Sequence, residues 1–276
     1  MEIVVVATHN ERFFNSFIDS LNKYNVKPTI LGWNQKYTGH LMKDDLLEEY
    51  LTKKNKRRVI LFCDAFDCLI LRDPRDLLKE FLNFKKQMII SNENNYNYFF
   101  NNMQKFYFGS VNDKLINTGM IIGYSDIFLK CLKIIKHYRQ KNINSNQKIW
   151  TRAMRNNDFL KKTIYIDVNN KFFLNYNRHY NNYNKRVNIV KIENNMFYDT
   201  EKKIFPFILQ GNGNRNLNDI CSKLGIKRSK IEKNEGLNYK KNLLFYYLLP
   251  FKNQILFLVI IIAIVLIIKN QKLFKF

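Results

Sequence analysis

Apolar positions in this chain follow two patterns, short continuous runs and stretches where they recur every three or four residues, and the two alternate along its first third. Residues 3–8 are continuous and mostly β-branched, which predicts a first strand. Phe13, Phe14, Phe17, Ile18 and Leu21 recur at helical spacing and predict a helix over 11–24. Residues 26–32 read as a second strand, 34–40 as a polar loop, and 41–54 as a second helix running into a basic turn at 53–58. The apolar run at 59–71 reads as a strand buried on both faces. Asp73 and Pro74 stand where an N-cap and a first helical residue belong, and 88–91 is a further short strand. This βαβαβαβ order is the signature of an α/β fold, a mostly parallel, Rossmann-like sheet with helices on both faces.

The second half is less regular. Residues 92–109 are rich in Asn, Tyr and Phe and read as a loop; 115–124 reads as a strand, 125–141 as a helix and 149–160 as another. Residues 164–167 and 171–174 read as two short strands of a hairpin, and 205–210 as a last strand leading into the glycine-spaced stretch Gln210-Gly211-Asn212-Gly213-Asn214. Glycines at that spacing permit close backbone approach.

Two carboxylates interrupt the run at 59–71, Asp64 and Asp67. An ionised carboxylate among apolar residues is costly unless a cation or hydrogen bonds satisfy it. Two of them three residues apart, where a buried strand ends, fit a hard divalent cation such as Mg²⁺ or Mn²⁺ held by oxygen ligands. The plainer alternative is a strand, an Asp-capped turn and a second strand. In parallel sheets ligands bind at the carboxyl ends of the strands, and Thr8, Asp64, Asp67 and Ser91 would all lie there.

Composition narrows the chemistry. Lys and Arg outnumber Asp and Glu by 46 to 23, a net charge of +23 that suits anionic partners such as phosphate-bearing substrates. The basic residues are spread along the chain and no RNP-like or zinc-knuckle pattern occurs, so no nucleic-acid partner is expected. The four cysteines, Cys63, Cys68, Cys131 and Cys221, match neither a zinc spacing nor a disulfide scaffold and read as buried thiols. The chain starts directly in strand-forming residues without a basic n-region. Near its other end, 255–268 is uninterruptedly apolar. With 251–254 and snorkelling Lys252 and Lys269, a helix there approaches the ~30 Å hydrocarbon core, so 251–270 is expected as a single-pass transmembrane tail anchor. The simplest topology then leaves the preceding domain in the cytosol.

Several segments together resemble one family, the glycosyltransferase domain of procollagen lysyl hydroxylases and the related collagen galactosyl- and glucosyltransferases. Val4-Val5-Val6-Ala7-Thr8 is similar to its first strand, Leu31-Gly32-Trp33 with Lys43 to its second strand and nucleotide-side lysine, and Phe62-Cys63-Asp64-Ala65-Phe66-Asp67 to its Phe-x-Asp-x-x-Asp metal strand. Ile89-Ile90-Ser91-Asn92-Glu93, Leu115 to Gly123, Ile164 to Asp167 and Phe173-Leu174-Asn175 resemble further pieces in the same order. Gln210-Gly211-Asn212-Gly213 stands where the family has His-Gly-Asn-Gly, and Ser145-Asn146-Gln147 where it has Asp-Asp-Gln.

The resemblance covers about residues 1–225 and implies a single GT-A-like domain that moves a hexose from a UDP-sugar to a hydroxyl acceptor with Mn²⁺ or Mg²⁺. Residues 226–250 would be a basic, aromatic linker to the anchor. By position Asp64, Asp67 and Gln210 would hold the metal. Thr8, Lys43, Asp64, Asn212 and Gly213 would face the nucleotide sugar. Asn117 would lie on the sugar side, and Asp167, as an acid near the altered segment, is the other expected catalytic residue. The alternative, given Gln210 and Ser145-Asn146, is a degenerate transferase fold acting as a nucleotide-binding or scaffold protein without turnover.

Overall fold

The computed structural model describes residues 1–54, 56–93, 98–141, 143–176, 190–193, 196–199, 203–212 and 215–230. All of them fall within the compact unit Met1–Asn234. The expected anchor at 251–270 and most of the linker before it lie outside the described residues. Among the described residues no helix is long and apolar enough to cross a membrane.

The chain opens with β1 (Glu2–Val6), α1 (Phe14–Asn22), β2 (Thr29–Leu31), α2 (Met42–Thr52) and β3 (Val59–Asp64). It continues through β4 (Cys68–Ile70), α3 (Pro74–Asn83), β5 (Met88–Asn92), α4 (Tyr98–Phe108) and β6 (Ile116–Tyr124). Then come α5 (Ser125–Lys136), α6 (Asn146–Asn156), α7 (Asp158–Thr163), β7 (Ile164–Asp167) and β8 (Phe173–Asn175). The described elements end with β9 (Val190–Glu193), β10 (Met196–Asp199), β11 (Ile208–Gln210) and α8 (Asn218–Lys223).

Six strands form the main sheet in the order β2-β1-β3-β6-β5-β7. β1 pairs in parallel with β2 and β3, and β5 with β7, whereas β6 runs antiparallel between β3 and β5. The expected mostly parallel sheet is thus present with one reversed strand at its centre.

Side chains alternate across this sheet with period two, and each face builds its own core. Val4, Val6, Ile60, Phe62 and Ile90 pack with Leu47 and Leu51 of α2, Phe128 and Leu132 of α5, and Trp150 of α6. Ile3, Val5, Ala7, Leu61 and Ile89 pack on the other side with Phe14 and Phe17 of α1 and Leu77 and Phe81 of α3. Asp73 caps α3 as expected, its Oδ1 accepting from the backbone N–H of Arg75 at 2.8 Å with Pro74 in the first turn.

Three expectations change. The run 59–71 is two strands, because the chain turns at residues 65–67. Backbone N–H groups of Phe13 and Gly211 donate to the carbonyls of Phe66 and Asp67 at 3.1 and 2.7 Å and hold that turn. β4 therefore leaves the main sheet and joins a second, three-stranded sheet, β4-β11-β8. The segment expected as a loop at 92–109 contains α4. Residues 164–167 and 171–174 are not a hairpin: β7 extends the main sheet beside β5, and β8 pairs with β11 in the second sheet.

Candidate active site

The second sheet brings Gln210 to the two aspartates. Gln210 lies opposite Cys68 of β4 and Asn175 of β8, so the end of β11 sits directly beside the turn carrying Asp67. The Gln210 Nε2 donates to Asp64 Oδ2 at 3.2 Å and to Asp67 Oδ1 and Oδ2 at 3.1 and 3.3 Å. Its Oε1 is buried and has no hydrogen-bond partner. Room for this amide exists because residue 119 is glycine: a Cβ there would stand 2.3 Å from Gln210 Nε2.

From the other side, Lys43 at the start of α2 donates its Nζ to Asp64 Oδ1 at 2.5 Å. Burial, reinforced by the Asp64 charge, pushes the Asp67 carboxyl up to about 7, against the pull of Lys43, Arg12 and the Gln210 amide. Lys43 is raised, its burial outweighed by Asp64. Asp67 therefore holds its proton to a higher pH than an ordinary carboxyl.

These three residues fit a divalent metal. An amide oxygen and nitrogen exchange places when the group turns over. Turning Gln210 would present its orphaned Oε1 with two carboxylates, an all-oxygen donor set suited to a hard cation. Among the described residues no group of three or more His, Cys, Asp or Glu could hold a metal, so any third donor beside these two carboxylates would be the neutral amide.

A second polar cluster adjoins the first. Glu93, at the end of β5, is buried, and its Oε2 accepts from Asn117 Nδ2 at 2.6 Å and Asn212 Nδ2 at 2.5 Å. Asn117 Oδ1 in turn accepts from the Gly119 N–H at 2.6 Å. Asn212 also donates to Asn175 Oδ1 at 3.1 Å, and Asn175 Nδ2 donates to the Asn92 carbonyl at 2.7 Å. Gly119 and Gln210-Gly211-Asn212 thus join the two clusters into one site at the carboxyl edge of the sheets.

This ordered set of residues is matched by a family model. The PLOD GT domain model matches residues 1–225. The chain belongs to that family. Its similar curated relatives include procollagen-lysine,2-oxoglutarate 5-dioxygenase 1 of Gallus gallus, 26% identical over 234 residues. Another is the multifunctional procollagen lysine hydroxylase and glycosyltransferase LH3 of Rattus norvegicus, 22% identical over 227 residues. Each match covers 76% of this chain but only 30% and 29% of the relative. Among solved structures it is similar to the galactosyltransferase LgtC in complex with donor and acceptor sugar analogues, with a TM-score of 0.45 and 12% identity over 82% of this chain and 92% of that one.

In this PLOD GT domain the other expected residues are placed as follows. Thr8 is buried at the end of β1, with its hydroxyl 2.8 Å from His9 Nδ1 and its carbonyl accepting from the Asn34 N–H at 2.9 Å. Gly213 lies outside the described residues. Asp167 belongs to neither cluster: its carboxylate accepts from the backbone N–H groups of Lys171, Phe172 and Phe173 at 3.0, 2.8 and 2.9 Å. Its part in the described structure is to close the turn between β7 and β8. Ser145 caps α6, its hydroxyl accepting from the Lys148 N–H at 3.4 Å, while Asn146, the first helical residue, accepts from the Gln147 N–H at 2.9 Å and has its Nδ2 buried without a hydrogen-bond partner.

Glu93, Asn175 and Tyr37 were not singled out as site residues by sequence. Glu93 carried the same signal as Asp64, an acid directly after a buried strand. Trp33 and Tyr37 are 43% and 50% exposed in the stretch before α2. Trp33 rests on Phe14 at 5.3 Å, and the Tyr37 hydroxyl meets His40 Nδ1 at 3.2 Å. Burial and the neighbouring Lys43 hold the His40 imidazole below its ordinary value.

Proposed function

We propose that this chain is a metal-dependent glycosyltransferase that moves a hexose from a UDP-sugar to a hydroxyl acceptor. The observation that carries the reading is the trio of Asp64, Asp67 and Gln210, with an unpartnered, buried amide oxygen beside two carboxylates. The family membership supports the sugar-transfer chemistry, and one relative is a multifunctional procollagen lysine hydroxylase and glycosyltransferase.

Asp64, Asp67 and Gln210 would hold Mn²⁺ or Mg²⁺, which supplies charge neutralisation for the diphosphate leaving group. Lys43 fixes the orientation of Asp64 and keeps a second positive charge at the same edge. Trp33 and Tyr37 offer exposed ring faces, suited to a uracil base. Asn117 and Asn212 both donate to the Glu93 carboxylate and fix it in one orientation beside the metal-side cluster. A buried, preordered set of donors strengthens each of these interactions.

A second reading is UDP binding without turnover. It draws on Ser145 and Asn146, which stand in place of family acids and carry no charge, Ser145 serving as the cap of α6. Hydrolysis of UDP-glucose and UDP-galactose with Mn²⁺ separates the two. Metal-dependent release of UDP supports transfer; binding of UDP without release supports the second reading; neither binding nor release removes both.

The apolar run at 255–268 supports membrane attachment of the same protein. Alkaline extraction of membranes carrying the full chain tests this, and release into the soluble fraction contradicts it.

A further inference from the structure

Arg12 has an unusual backbone and an unusual side chain. Its φ is +50°, in the left-handed region that non-glycine residues seldom occupy. The chain around it is held on both sides. The Ser229 hydroxyl donates to the Arg12 carbonyl at 2.6 Å, and the next residue, Phe13, donates its N–H to Phe66, one residue before Asp67. Phe13 is fully buried, so the segment has no freedom to relax. Nothing in this local packing uses the guanidinium. The Arg12 Nε is buried without a hydrogen-bond partner, and Arg12 forms no salt bridge among the described residues. A strained residue that its surroundings over-determine points to function, because strain persists only where other contacts impose it.

The location says what the guanidinium is for. Arg12 follows β1 at the carboxyl edge, next to Phe13, whose N–H holds the turn that carries Asp67, and its charge, like that of Lys43, pulls the Asp67 carboxyl down. Two carboxylates, Lys43, a divalent cation and the diphosphate diester of a nucleotide sugar together leave one negative charge without a partner, and departure of the sugar adds another. Lys43 is already committed to Asp64. A guanidinium is the side chain best matched to phosphate oxygens, since its planar fork donates two hydrogen bonds at once.

Resting on the nucleotide-sugar reading above, we propose that Arg12 is a diphosphate-binding residue of this site, held in a left-handed backbone so that its guanidinium meets the phosphate oxygens of the donor. The ligand class is a diphosphate, free or within a nucleotide. The uracil and sugar ends are recognised elsewhere.

The test is titration calorimetry of the full chain with Mn²⁺, using inorganic pyrophosphate, UDP and uridine, together with thermal melting. The variants are Arg12→Gly and Arg12→Lys. The expected result is a loss of about tenfold or more in pyrophosphate and UDP affinity in Arg12→Gly, with uridine binding unchanged and a smaller loss in Arg12→Lys. Arg12→Gly should also melt at least as high as the parent protein, because glycine tolerates the left-handed backbone. Unchanged pyrophosphate affinity in Arg12→Gly overturns the proposal, as does an equal loss for uridine. Arg12-dependent binding of pyrophosphate without binding of UDP supports the anion site and removes the nucleotide-sugar reading. Binding of neither by the parent protein overturns both.

Discussion

Asp67 is half-buried in the turn just before β4 and Asp167 is buried at the end of β7, and desolvation raises both carboxyls, to about 7 and about 6. They differ in what meets them. Asp167 is ringed by three backbone N–H donors from one turn, the arrangement that satisfies a carboxylate without any cation. Asp67 faces another carboxylate and shares a single neutral amide with it, while that amide's own oxygen has no partner. The first site is complete in itself. The second sets two carboxylates against Lys43 and one neutral amide whose oxygen is left over, a donor set that fits the metal proposed above. A buried acid at a strand end is therefore a weak signal alone; its partners decide whether it builds the fold or the chemistry.

The largest expected effects separate the two acids outright. Asp64→Asn or Asp67→Asn should reduce Mn²⁺-dependent UDP binding by about a thousandfold, ~4 kcal/mol, read by calorimetry, while thermal stability changes little or rises. Asp167→Ala should do the opposite. It leaves three backbone donors without an acceptor, and the loss of about 3 kcal/mol or more should lower the melting temperature by about 6–12 °C, with Mn²⁺ affinity unchanged. If Asp167→Ala folds normally and loses turnover instead, the contrast drawn between the two acids is wrong.

A finer probe acts on the amide. Gln210→His should strengthen Mn²⁺ binding by about tenfold, since an imidazole is a better ligand than a neutral amide. Gly119→Ala should weaken it by a similar factor, because the added methyl would occupy the space of the Gln210 amide. Equal and unchanged Mn²⁺ affinity in both variants would place the metal elsewhere.

The smallest effect is in pH dependence. The Asp67 carboxyl rises from an ordinary 3.8 to about 7 in the folded protein, so the folded state holds a proton that the unfolded chain releases between those values. Metal-free protein should lose stability as pH rises from about 4 to about 7, with Asp167 and Asp44, both raised to about 6, adding in the same direction up to that pH. Mn²⁺ needs the ionised pair, so its gain in melting temperature should be larger at about pH 8 than at about pH 5.5. Asp67→Asn should abolish that difference and Asp167→Ala should preserve it.

The fold and much of the site were legible in the sequence where a local pattern carries the signal. Continuous apolar runs located β1, β3, β5 and β6, three-to-four-residue recurrence located α1, and the Asp73-Pro74 start signal located α3. Asp64 and Asp67 stood out as charges inside such a run, and the family pattern placed Gln210 and Asn117 with them. Strand direction and sheet membership are set by pairing between distant segments, which a hydrophobic pattern does not encode. The reversed β6, the departure of β4 and the separation of β7 from β8 were therefore hidden. The same limit explains Asp167. Its residue type and burial resemble those of a catalytic acid, and only the fold of the following turn supplies the three donors that give it a structural part. Arg12 carried no signal, because a left-handed backbone at an arginine has no sequence signature.

The most direct test of the central claim is a crystal structure with UDP and Mn²⁺, with the metal located by its anomalous scattering. The account predicts a Mn²⁺ peak between Asp64, Asp67 and Gln210, with the amide turned so that Oε1 faces the ion and the diphosphate lies on the same side. UDP bound without a peak at these residues, Gln210 Nε2 still donating to both carboxylates, would contradict it.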